Sequence, residues 1–234
     1  MSNGPVMQAG SGSFFRTWVD ALTKPREETY VSIGSSPRAK AMTGYVWVLL
    51  CSIVASVVAV VAQGATIQQQ LEQSGVALDQ VGGGLGGVAA GVLCGAPIAA
   101  IVGTLVFAIW TAVVQWIAKM FGGKGTNDQL AYTLAAIAAP YSLVSAVLVL
   151  LAAIPYVGFC FNILVGLGGL YVLVLQLMAI KGVNRFGWGP AIASYFIPGL
   201  AIFLVCCAVL AVILTLSGAA LGGIFSSINQ SLMP

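Results

Sequence analysis

Residues 131–153 read AYTLAAIAAPYSLVSAVLVLLAA, a run of 23 positions without one charge. A helix crosses a hydrocarbon core about 30 Å thick with about 20 apolar residues, so this stretch alone reads as a span. Working outward, comparable runs extend from Gly44 to Gln63, from Tyr156 to Ile180 and from Ala191 to Ser217. The region from Val81 to Ala118 is apolar throughout. As one helix rising about 1.5 Å per residue it would overshoot the bilayer. Pro97 is the expected break, because its ring removes a backbone bond and crowds the preceding turn; the spanning part is then Cys94 to Ala118. The expectation is an all-α integral membrane bundle of five transmembrane helices. Residues 1–43 form a tail with an interfacial amphipathic helix, 44–217 the five-helix domain (spans 44–63, 94–118, 131–153, 156–180 and 191–217), and 218–234 a short external tail.

Composition agrees. Of 234 residues 59% are apolar and 6% charged, where a soluble domain carries roughly 25% charged residues. Nine Lys and Arg against six Asp and Glu leave a net charge of +3, too few cations for a groove that neutralises many phosphates, so nucleic-acid binding is not expected. His is absent, which removes His-based catalysis and the usual imidazole metal ligand. Cys51, Cys94, Cys160, Cys206 and Cys207 all sit in apolar runs without CxxC pairing and read as small buried apolar residues. No catalytic residue, cofactor or metal ligand is assigned. The first 43 residues lack a signal-peptide-like apolar run.

Cations set the expected topology, because Lys and Arg beside spans stay on the cytoplasmic side. Arg16, Lys24, Arg26, Arg38 and Lys40 precede the first span, Lys119 and Lys124 follow the second, and Lys181 and Arg185 follow the fourth. The alternate segments carry only Glu72 and Asp79. Five spans thus place the N-terminus inside and the C-terminus outside; four or six would put cations on the wrong face.

In the tail, Phe14, Phe15, Trp18, Val19 and Leu22 recur at helical spacing while Arg16, Asp20 and Thr23 point elsewhere, the pattern of a short helix lying in the interface until Pro25 ends it. Ser36-Pro37 looks like a second helix start, with Ser as cap and Pro in the first turn, which sets Arg38 and Lys40 at headgroup level. The alternative is that the tail docks a soluble partner. After the first span, residues 66–81 suggest a separate amphipathic helix around Ile67, Leu71, Val76 and Leu78.

Intramembrane polarity is sparse: Gln115, Asn162, Gln176 and several Ser and Thr. Such groups ordinarily bond a neighbouring helix; a solute path is the alternative. Gly83, Gly87, Gly91, Gly95 and Gly103 fall four or eight residues apart, with Ala99 in register. Small residues at that spacing let helix backbones approach closely. The contact is either within the bundle or between copies, which leaves a homo-oligomer open.

The order of these features resembles the Yip1-domain family, in particular its prokaryotic members. FFRTWVDALTKPREE (14–28) looks like the family's cytosolic entry segment. FGGKGTNDQLAYTLAAIAAPYSLV (121–144) resembles the block in which a Phe-Gly-Gly turn leads into a span with an Ala-Pro-Tyr step. Residues 154–198, from the Ile-Pro turn to Pro198, look like the closing block. The resemblance implies five spans, a cytosolic N-terminus and no enzymatic activity. Eukaryotic relatives associate with Rab-type GTPases, but no contact motif transfers to named residues here. The leading expectation is a non-enzymatic scaffold or adaptor working through lipid or protein contacts in a bacterial cell membrane. The alternatives are a channel or facilitator for a small neutral solute or lipid, and a structural accessory subunit of a larger complex.

Overall fold

The computed structural model describes residues 14–74, 89–154 and 156–231, without the side chains of 65–74, 213, 214 and 216–231. Among the described residues every regular element is helical: α1 (Phe14–Thr23), α2 (Glu27–Gly34), α3 (Ala41–Ser74), a π-helical turn (Gly91–Gly95) leading into α4 (Ala96–Met120), α5 (Asn127–Ala152), α6 (Gly158–Asn184) and α7 (Trp188–Ser231). Five segments are long and apolar enough to cross a membrane: Ala41–Gly64, Gly91–Met120, Asn127–Ala152, Gly158–Asn184 and Trp188–Val212. Contacts divide the chain after Ile192 into two units. The second is carried by α7, which continues through Pro198 unbroken and leaves Leu200, Ile202, Phe203 and Leu204 exposed. Exposure of that kind is what lipid, and not water, tolerates.

In the first unit α3 packs most extensively on α5, α5 on α6, and α4 on α3. Fully buried Leu130, Leu134 and Ile137 of α5 meet a core that includes Leu175 and Ile180 of α6. Ala-rich α5 can sit centrally because its small side chains let neighbours close in. Its Pro140 is accommodated within the helix, and the next residue, Tyr141, donates from its hydroxyl to the Val165 carbonyl of α6 at 3.1 Å. A Cβ on Gly168 would come within 3.2 Å of that ring, so the GLGGL run provides the seat for the Ala-Pro-Tyr step.

Three local expectations are corrected. First, α3 does not stop near Gln63 and give way to a separate amphipathic helix; it continues to Ser74. The Gln- and Leu-rich continuation has good helix formers, and Gly64 alone costs only about 1 kcal/mol. Residues 75–81 lie outside the described residues. Second, no helix starts at Ser36-Pro37. Residues 35–38 form a turn, Ser36 Oγ is buried without a hydrogen-bond partner, and the Ala41 N–H at the start of α3 instead donates to Asp128 Oδ1 at 3.2 Å. The acceptor for an orphan helix donor thus comes from a distant part of the chain. Third, Pro97 does not separate the second span from what precedes it. It sits in the first turn of α4 just after the π-helical turn, where the shift in register absorbs its missing N–H without breaking the helix.

Candidate functional site

Several polar side chains of the first unit meet at one end. α3 and α5 begin there and α4 and α6 finish there. The joint is a pair of carboxamides. Gln115, 2% exposed, lies in the last two turns of α4, and Asn184, fully buried, is the last residue of α6. Gln115 Nε2 donates to the Gly125 carbonyl at 2.7 Å and to Asn184 Oδ1 at 2.9 Å. Asn184 Nδ2 donates to Gln115 Oε1 at 3.2 Å and to the Ile180 carbonyl at 3.1 Å. Both amides are therefore satisfied, as buried polar groups in a low-dielectric setting must be.

The α4–α5 loop closes over this pair. Its Lys124 N–H donates to the Asn184 carbonyl at 3.1 Å. A Cβ on Gly123 would sit 2.6 Å from Asn184 Oδ1 and 2.8 Å from the Ala118 carbonyl, and one on Gly125 2.7 Å from Val183 and 2.9 Å from Asn184 Oδ1. Only glycine lets the loop approach this closely. The loop then feeds α5 through a capping box: Thr126 Oγ1 accepts from the Gln129 N–H at 3.3 Å, and Gln129 Oε1 accepts from the Thr126 N–H at 3.1 Å. At the end of α6, Arg185 takes a left-handed backbone conformation (φ 56°), and its N–H caps the Lys181 carbonyl at 2.8 Å.

α1 and α2 lie against the same end. Lys181 pairs with Glu27 and stands 5.3 Å from the centre of the Trp188 ring. Tyr30 Oη donates to the Ala21 carbonyl at 3.0 Å; burial, reinforced by nearby Tyr171, pushes its phenol well above the ordinary range and keeps it a donor. Tyr171 Oη donates to the Leu22 carbonyl at 2.6 Å. Tyr171 stands ten residues before Lys181, about 15 Å along the helix, so the end of α1 reaches well past the level of the ion pair. Trp18 meets Phe14 and Trp47 edge to face at 5.6 and 5.7 Å, and Trp47 meets Tyr132 at 4.9 Å. Phe14 and Phe15 stay exposed, as do Arg38 and Lys40 in the α2–α3 connection.

The other residues singled out from sequence are dispersed. Asn162 Nδ2 donates at 3.0 Å to the Gly158 carbonyl of its own helix, and Gln176 is half-buried in α6. Gly91 lies against α3, a Cβ there meeting Val60 at 3.0 Å, while Gly95 and Gly103 would meet nothing within 4 Å. Gly83 and Gly87 lie outside the described residues. Cys51 is buried, whereas Cys94, Cys160, Cys206 and Cys207 are exposed; the expectation of burial fails for these four because apolar side chains in lipid need no protein cover. Asn184 escaped the sequence reading. It stood in what looked like a basic loop, and the signal for it was the nearby need for glycines at 123 and 125.

A chain whose described residues form only helices, five of them long and apolar enough to cross a bilayer, is a multi-pass membrane protein. The Yip1 domain model matches residues 19–210, and the chain belongs to the Yip1 domain family. No curated protein and no solved structure gives a significant match.

Proposed function

We propose that the chain is a non-enzymatic scaffold or adaptor that works through lipid and protein contacts, with its charged end facing the cytoplasm and its C-terminus outside. The observation that carries this reading is the concentration of specific polar architecture at the charged end: α1, α2, the 121–126 loop and the end of α6 form a rigid, hydrogen-bonded platform. All nine cations belong to the segments that meet there or lead into them, the asymmetry that favours a cytoplasmic face. The exposed Phe14 and Phe15 support seating α1 in the membrane surface. Membership of the Yip1 domain family is consistent with such a role.

A channel or facilitator is less well supported. Asn162 donates its amide to the Gly158 carbonyl of its own helix, and the cavities beside α2 are lined by other residues. In-cell cross-linking followed by purification in mild detergent tests the proposal. A stoichiometric partner whose capture is lost when residues 14–34 are deleted is expected. A chain that always isolates alone, while vesicles containing it gain a flux of small neutral solutes, would overturn it.

A further inference from the structure

Between α2, the start of α5 and the end of α6 lies a cavity of about 240 Å³. We propose that it binds a phosphate-type anion, with an anionic phospholipid headgroup or free phosphate as the two sources. Lys124 and Gln129 line it from the start of α5 and Arg185 from the end of α6. Among the described residues the ion pairs are Arg16 and Lys24 with Asp20 and Lys181 with Glu27, so the two cations of the cavity have no acidic partner. Gln129 has its Oε1 committed to the Thr126 N–H, which leaves its NH₂ to donate.

Ser35 donates its hydroxyl back to the Val31 carbonyl at 2.8 Å, and its N–H takes the same carbonyl at 2.9 Å. The Asn184, Lys181 and Ile180 carbonyls at the end of α6 are likewise engaged. The start of α5 brings the positive end of a long helix and the ends of α2 and α6 bring negative ends, so the attraction for an anion rests on the Lys124 and Arg185 charges. A lysine and an arginine lining one site suit a phosphate, one as a point charge and the other as a planar fork.

Size fits as well, since a liquid water takes about 30 Å³ and the cavity holds several. Its place at the ends of the spans is the level of lipid headgroups. Glu28, in the adjoining cleft that shares Val31 and Ser35, opposes a second negative charge and favours a singly charged diester over a dianion. The inference names a ligand for the platform of the scaffold reading but stands on the cavity alone. A chain that holds its protein partners yet binds no anion would sink it and leave that reading intact.

The test is native mass spectrometry of the full chain in mild detergent, incubated with phosphatidylglycerol or with phosphatidylcholine. Wild type retains one phosphatidylglycerol in preference to phosphatidylcholine. K124Q/R185Q lowers that retention about tenfold or more for each charge-assisted hydrogen bond lost. R38Q/K40Q, with the same change in net charge, leaves it unaltered, and K124R/R185K retains it. Should K124Q/R185Q fail to fold, S35E asks the same question by adding a carboxylate at the rim while keeping both cations, and retention is lost. In a second arm, inorganic phosphate replaces lipid. A melting temperature raised by phosphate in wild type but not in S35E assigns the site to a soluble anion, and no response with lipid retained assigns it to a headgroup. Equal retention by wild type and by both cavity variants, equal loss in R38Q/K40Q, or binding of neither anion overturns the proposal.

Discussion

Two sets of glycines divide the molecule. At the charged end, Gly123 and Gly125 have no room for a β-carbon, because Asn184 and the ends of α4 and α6 press against them. Gly95, at the end of the π-helical turn, and Gly103, on α4, face open space, although their four- and eight-residue spacing is the more conspicuous pattern in the sequence. Near these glycines the buried small residues are Ala96 and Ala100, one position on from Gly95 and three short of Gly103. Spacing shows which small residues share a helix face, but only the neighbours show whether that face is used. The fold's specificity resides where backbone, amides and loop interlock, and the apolar wall is held by less particular contacts with lipid and neighbouring helices.

The contrast is sharpest in substitutions. Gly123→Leu is expected to destabilise the chain by about 3 kcal/mol, because the side chain must displace Asn184 or the Ala118 carbonyl; unfolding in detergent micelles would measure it, and a change below about 1 kcal/mol would erase the distinction. Asn184→Leu should cost about 2 kcal/mol by stranding the buried Gln115 amide. Gln115→Leu in the same background should cost less than it does alone, since only its bond to the Gly125 carbonyl remains to be lost, giving a double-mutant coupling of about 1 kcal/mol. Asp128→Ala removes the acceptor at the start of α3 and should cost about 1 kcal/mol, with faster hydrogen exchange confined to the first turn of that helix. At the other extreme, Gly95→Ala and Gly103→Ala should leave stability unchanged or raise it by up to about 1 kcal/mol each, since alanine is the better helix former and meets nothing. A loss of oligomer with unchanged monomer stability would show instead that the open face is covered by a second copy.

The same contrast explains what the sequence disclosed. Bilayer-length apolar runs are a one-dimensional signal, so the five spans were readable from the 131–153 stretch outward. Gln115 stood out because an amide within an apolar run must find a partner. Its partner did not, since Asn184 lies 69 residues away behind a lysine and before an arginine. The cap of α3 was hidden for a similar reason: Ser36-Pro37 has the local chemistry of a helix start, but the donor is met by Asp128 from 87 residues away. Likewise α2 was missed because its buried residues, Tyr30, Ile33 and Gly34, face α5 and α6 and give an eight-residue segment too little periodicity to read. Local pattern reports solvent, while partners separated by many residues report packing.

The platform reading requires the charged end to face the cytoplasm. In a cysteine-free background, Arg38→Cys at that end and Tyr156→Cys in the exposed turn before α6 provide the two probes, treated with an impermeant maleimide on intact cells. The account predicts that Tyr156→Cys is labelled at once and Arg38→Cys only after the membrane is opened; labelling of Arg38→Cys in intact cells would contradict it.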